Sequence, residues 1–194
     1  MTLATLLRHV GVDVPRYVTV DGRIVLDSAV AEARAPMALA PHRFHAGDDP
    51  SPSRNAFDSA WWNVEPDARA ADEIAMRMHF PSFVLLDDDG DYAWAGELNT
   101  GRGRFGILAM PQTDHSLPSI VPRHRGLGRN EGKRCRKPPH IYTTGNLCVA
   151  ATAHWNANSH TTATAVAWAA HWFAAYAEWR MNGQWPTEGY GAVA

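Results

Sequence analysis

Between Phe83 and Pro111 the chain reads FVLLDDDGDYAWAGELNTGRGRFGILAMP. Phe83 to Leu86 is a short apolar run, and Asp87 to Asp91 is a turn-forming stretch. In Tyr92 to Leu98, residues Tyr92, Trp94, Gly96 and Leu98 alternate against the rest, as one face of a strand does. Asn99 to Gly103 turns again, Arg104 to Met110 is a third strand, and Pro111 ends it. Sequential strands joined by short turns make an antiparallel meander. The acidic turn lacks the ligand spacing and the later bidentate Glu of a calcium loop, so it reads as a solvated hairpin tip.

Upstream, a helix is expected to start near Asn63–Pro66, with Asn63 as a capping residue and Pro66 in the first turn. Ala68, Ala71, Ile74, Ala75 and Met78 form its apolar face, and Asp67, Arg69, Asp72, Glu73 and Arg77 its polar face; Phe80-Pro81 stops it. Residues 1–60 show no chemistry and read as an N-terminal extension to a main domain at 61–194. Within that extension Leu3, Leu6, Leu7 and Val10 are spaced for a short helix. Arg16 to Leu26 folds back about Asp21-Gly22 as a hairpin. Ala29 to Ala40 is alanine-rich and broken by Pro36, and His42 to Asn55 reads as a loop.

Downstream, the stretch from Pro118 to Pro139 is basic: Arg123, Arg125, Arg129, Lys133, Arg134, Arg136 and Lys137 face one acid, Glu131. Three glycines loosen it, so it reads as a flexible loop, either merely solvated or an electropositive surface beside a thiol. That thiol is Cys148, reached through Pro138-Pro139-His140-Ile141-Tyr142-Thr143-Thr144-Gly145-Asn146-Leu147. Two prolines stiffen the entry and a turn follows, a layout that suits either a presented nucleophile or a small buried side chain. His154 to His160 is a polar loop. Thr161 to Met181 is one long helix whose face of Trp168, Trp172 (or His171), Ala175, Tyr176 and Trp179 reads as core. Asn182-Gly183 ends it, and Trp185 and Tyr190 pin the tail.

Composition excludes several classes. A net charge of −2 gives no global attraction to nucleic acid or acidic membranes. No aromatic residue interleaves with the basic run to stack bases, so nucleic acid is not an expected partner. No apolar run reaches the length of a membrane span, the N-terminus lacks a secretory pattern, and two cysteines build no disulfide framework. A cytoplasmic protein is expected.

In this order, helix, meander, proline-containing passage, cysteine loop and C-terminal helix resemble the ubiquitin-conjugating enzymes. Trp94, Gly96, Phe105, Ile107 and Pro111 match the family's meander, and Pro118, Ile120 and Pro122 the passage after it. Gly145-Asn146-Leu147-Cys148-Val149 matches the segment around the catalytic cysteine. The likeness covers about residues 63–180. Pro138-Pro139-His140 stands where the family has His-Pro-Asn, which puts His140 at the Asn position. No acid lies between Cys148 and Glu178 to stand for the Asp that often assists the incoming amine. Tyr176-x-x-Trp179 and Trp185-Pro186 resemble the bacterial branch, whose members occur with activating-enzyme-like partners, often in antiviral defence.

The resemblance implies an α+β ubiquitin-conjugating-enzyme fold with an N-terminal helix, an antiparallel β-meander, an active-site cysteine loop and a long C-terminal helix. It implies that Cys148 carries a ubiquitin-like modifier protein as a thioester. The modifier would come from a ubiquitin-activating-enzyme-like protein and pass to an amine of a target protein, with no cofactor, no metal and no membrane involved. His140 would either donate a ring N–H to the oxyanion or support the loop. His154 or His160 would take the amine's proton in place of the missing Asp. Cys135 has no matching position. Two other classes are weighed: a catalytically silent conjugating-enzyme-like binding module, and a hydrolase or metal enzyme using these histidines. The second has no zinc-type spacing to support it.

Overall fold

The computed structural model describes residues 16–26, 37–45, 60–88, 90–124 and 126–191 of the 194-residue chain. In chain order the elements are β1 (Tyr17–Val18), β2 (Ile24–Val25), β3 (Met37–Ala38), β4 (His42–Arg43), α1 (Trp61–Val64) and α2 (Pro66–His79). There follow β5 (Val84–Leu86), β6 (Ala93–Asn99), β7 (Arg104–Met110), β8 (Ser119–Pro122), β9 (Arg129–Glu131) and β10 (Arg134–Arg136). A 3₁₀ turn (Thr152–His154), α3 (Thr162–Asn182) and β11 (Gly189–Tyr190) complete the set. Every strand pair among the described residues is antiparallel, so the fold is α+β.

The meander forms a four-stranded sheet in the order β5-β6-β7-β8. Its register sets Leu85 opposite Trp94, Leu98 opposite Phe105 and Ala109 opposite Ile120. The period-two alternation therefore delivers one apolar face, with Trp94, Leu98, Ile107, Ala109 and Ile120 all buried. Gly96 lies on this face because the Phe83 ring occupies the space where its side chain would be.

That face closes on α3, where every residue from Thr162 to Phe173 is buried. A helix enclosed on all sides needs apolar residues all round and small ones where neighbours approach. Ala163, Ala165, Ala167, Ala169 and Ala170 supply the small side chains. Thr161 and Thr164 form a reciprocal capping box at its start, and Gly183, at φ 79°, is its left-handed stop. Phe173 stacks on Phe105 of the sheet, with centroids 4.3 Å apart. His171, two residues earlier and so on nearly the opposite side of the helix, meets the N-terminal segment instead.

The N-terminal segment makes a three-stranded sheet, β2-β1-β3, with the hairpin read at Arg16 to Leu26, and β4 pairs with β11. Val18, Leu39 and Phe44 join the main core. A buried polar chain ties this segment to α3. The Arg16 guanidinium donates to His171 Nε2, His171 Nδ1 donates to His42 Nε2 (3.0 Å), and His42 Nδ1 donates to the Ala40 carbonyl (2.9 Å). Only that proton assignment satisfies all three bonds, because a carbonyl accepts and an arginine donates. It leaves both imidazoles neutral. Burial, chiefly, lowers the His42 pKa to about 4, with the Ala40 bond acting against it and the Arg16 charge in the same direction.

Several readings are corrected. The N-cap of α2 is Glu65 with no side-chain cap bond, and Asn63 belongs to α1. The buried face of α2 is centred on Asp72 and Met76, whereas Ile74 and Met78 are exposed. The reason is Asp72: it accepts hydrogen bonds from the Thr162 N–H (2.6 Å) and the Tyr92 hydroxyl (3.0 Å). An anion at the start of α3 complements that helix's positive end, which outweighs the simple apolar count. His42 and Arg43 are a strand, not a loop, and His42 is fully buried. The basic stretch contains the β9–β10 hairpin rather than a structureless loop. The expected helix at Thr2–Val10, the residues up to Pro36 in the alanine-rich stretch and residues 46–55 lie outside the described residues.

The His42 shift has a stability consequence. A histidine at about 4 when folded and near 6.5 when unfolded takes up its proton first in the unfolded chain, so stability is full above 6.5 and falls between 6.5 and 4. The loss is at most about 3 kcal/mol. Asp72, raised by burial, works in the opposite sense as it protonates. Urea unfolding at neutral and mildly acid pH should show the fall in the wild type and a shallower one in His42→Phe.

Candidate functional site

The segment from Pro138 to Ala151 is held mainly by its backbone. Tyr142 N–H donates to the Asn146 carbonyl and Gly145 N–H to the Tyr142 carbonyl, each at 2.9 Å, which closes the turn. Leu147 N–H donates to the Ile120 carbonyl (2.9 Å), so the loop is fastened to the outer strand of the meander. Next, Cys148 N–H donates to the His140 carbonyl (3.0 Å). The same carbonyl accepts from Trp172 Nε1–H of α3 (2.8 Å). One oxygen with two lone pairs thus joins the cysteine, its entry residue and the central helix.

His140 adopts the left-handed region at φ 54°, which costs a residue other than glycine about 1–2 kcal/mol. The gain is a division of labour: the carbonyl faces Cys148 and Trp172 while the ring turns to the chain's two outer segments. Nδ1–H donates to the His45 carbonyl (2.9 Å), and Nε2 lies 3.6 Å from Glu188 Oε2. The ring packs between Phe44 and Trp185, at 5.5 and 5.3 Å.

Cys148 is 1% exposed, between Leu147 and Val149, which are equally enclosed. Beyond it, Ala151 N–H donates to the Arg43 carbonyl (2.7 Å) and Arg43 N–H donates to His154 Nδ1 (3.0 Å). Strand β4 is therefore clasped to the chain just after the cysteine, while His45, two residues past the strand, holds the His140 ring before it. His160 accepts from Asn156 N–H at Nδ1 (3.2 Å), and its ring lies against Trp155 and Trp168. Burial lowers its pKa. In both His154 and His160 the Nδ1 lone pair is engaged by a backbone donor, so the N–H of the neutral ring is at Nε2. His160 borders a groove of about 370 Å³ with Asp72, His115 and Trp61. The structure thus brings His140 and Cys148 together and sets His154 and His160 on the turns that follow. Among the described residues no group of three or more His, Cys, Asp or Glu is arranged to hold a metal.

Sequence reasoning missed Phe44, His45 and Glu188 as braces, and read Trp172 only as core and Trp185 only as a residue pinning the tail. The run His42 to His45 carries no pattern that separates a two-residue strand from a loop. The Trp185-Pro186 pair was a visible signal, since a tryptophan in a tail must pack somewhere.

A family model described as Type II CBASS E2 protein matches residues 72–192. The chain belongs to that family, and with it to CBASS antiphage defence. No curated protein and no solved structure matches it. The match runs from the middle of α2 through β11, so β1 to β4 lie outside it although β4 braces the cysteine loop. No helix among the described residues is long and apolar enough to cross a membrane.

Trp172→Phe keeps an aromatic side chain but removes the donor to the His140 carbonyl and part of a fully buried indole. It should lower stability by about 2–3 kcal/mol and increase hydrogen exchange at the Cys148 amide. Chemical denaturation and amide exchange measure the two effects separately.

Proposed function

We propose that the chain is a cytoplasmic conjugating-enzyme-like transferase with the ubiquitin-conjugating-enzyme fold. Residues 61–194 are its catalytic domain and residues 1–60 an extension whose strand β4 braces the site. Cys148 takes the C-terminus of a ubiquitin-like modifier from an activating-enzyme-like protein and passes it to an amine of a target protein. The supporting observation is the place of Cys148, one residue past the Leu147–Ile120 bridge at the end of a four-stranded meander, in a chain of the CBASS E2 family. The Cys148 thiolate attacks the incoming thioester carbonyl and expels the activating enzyme's thiolate. The target amine then attacks the new thioester, the Cys148 thiolate leaves, and the amine's extra proton passes to water or a base.

Of the two roles for His140, loop support is the one the geometry favours, because both ring nitrogens face His45 and Glu188. Proton acceptance by His154 or His160 requires release of Nδ1 from Arg43 or Asn156. The burial of Cys148 requires the loop to open before loading, and it favours a second reading, a silent binding module.

Incubation with ATP, an activating-enzyme-like protein and a small ubiquitin-like modifier decides between them. The transferase reading expects a reducible adduct that persists in Cys135→Ser and disappears in Cys148→Ala. Absence of that adduct favours the binding module. His140→Ala, on the loop-support reading, slows loading and amine transfer together. A loss confined to amine transfer would restore the ring as an oxyanion donor.

A further inference from the structure

The β9–β10 hairpin carries a dense run of positive charge. From Arg129 to Lys137 five basic residues accompany one acid. All three residues of β10 are exposed, as are Lys133 and Lys137. The register sets Arg136 directly opposite Arg129, a like-charge pair that weakens the ladder. Glu131 offsets it by lying 3.6 Å from each guanidinium. Among the described residues, Lys133, Arg134 and Lys137 form no ion pair.

A two-stranded hairpin carrying this repulsion is marginal unless anchored. The anchor is at its base: Gly128 N–H donates to the Tyr176 hydroxyl (3.1 Å), and the Arg129 side chain lies over Gly183 at the negative end of α3. The base is fixed to the core while the cationic tip is left unneutralised.

Beside the base of the hairpin, where Leu127 and Lys137 flank it, lies a groove of about 280 Å³. It is lined by Val121, Pro122, Leu127, Lys137 and Ile141, and by residues of the turn Tyr142 to Asn146 that leads to Cys148. Pro122 has no N–H to give, so the outer edge of β8 is poorly suited to adding another strand. Recognition here falls to side-chain charge and apolar contact.

We propose that this groove and hairpin dock an extended acidic segment of a partner protein, the stretch adjoining the C-terminus that Cys148 receives. The proposal rests on the transferase reading for that identity and on charge complementarity for the docking. Carboxylates along the segment would meet Arg134, Lys133 and Lys137 while its apolar residues lie on Leu127 and Ile141. The absence of aromatic side chains from Arg129 to Lys137 favours an acidic peptide over single-stranded RNA.

The test is fluorescence anisotropy with a short labelled peptide of Glu, Leu and Gly ending in a free carboxylate. A Lys-for-Glu version and a short oligouridine serve as comparison probes. The acidic peptide should bind, weaken as salt rises from about 50 to about 200 mM, and lose about tenfold in affinity with Arg134→Glu plus Lys137→Glu. The milder Arg134→Gln plus Lys137→Gln pair should give an intermediate loss. Arg23→Glu plus Arg77→Glu, the same charge change elsewhere, should leave binding within about twofold of wild type. Binding indifferent to hairpin charge, equal loss in the distant pair, or tighter binding of oligouridine would overturn the proposal. The peptide binds without forming a thioester, so a Cys148 that never loads defeats the transferase reading without touching the docking result. Wild-type loading rates in the hairpin variants defeat the docking and leave the thioester.

Discussion

Enclosure of α3 on every side is the constraint from which the other contacts follow. A helix whose first three turns expose nothing must be covered by several partners at once. Here the meander covers one flank through Phe105 and Phe173, and the N-terminal segment covers the other through His42 and His171. The cysteine loop, with Leu147, Val149 and Ala150, and α2, with Met76, cover the rest, all in the same core. Polar groups brought inside by that enclosure are paired in the chain from Arg16 to the Ala40 carbonyl and around Asp72. Each pairing sets an angle between elements that apolar packing alone would leave loose.

The candidate site inherits its geometry from this arrangement. Trp172 is a core residue by burial, yet its one polar atom reaches the carbonyl that also holds the Cys148 amide. His140 links the same point to β4 and to the C-terminal segment. Packing and loop conformation are thus one system, and a change in the aromatic cluster of Phe44, Trp172 and Trp185 is felt at the thiol.

Much of the architecture was legible before the structure. Alternation in Tyr92 to Leu98 and the glycine-rich turns determined the meander, and Asn182-Gly183 located the end of α3. The face of α2 was misread because apolar counting ranks Ile74 above Asp72, whereas a carboxylate facing a helix start is stabilised by that helix. Strand β4 was read as loop because two residues carry no period; its pairing with β11 is decided by a partner far along the chain. The position of Cys148 was legible in the order of motifs. Its burial was not, since exposure depends on what packs above a loop.

The contact between the His140 ring and the His45 carbonyl spans 95 residues, and the partner on its other side, Glu188, comes still later in the chain. During synthesis the cysteine loop therefore leaves the ribosome before one of its braces exists. Until Trp185, Glu188 and β11 arrive, the left-handed turn at His140 is held by the Cys148 amide, Trp172 and the His45 carbonyl but lacks its outer braces. The last braces of the cysteine loop are thus a late, non-local addition, made only when the C-terminal segment pairs with β4.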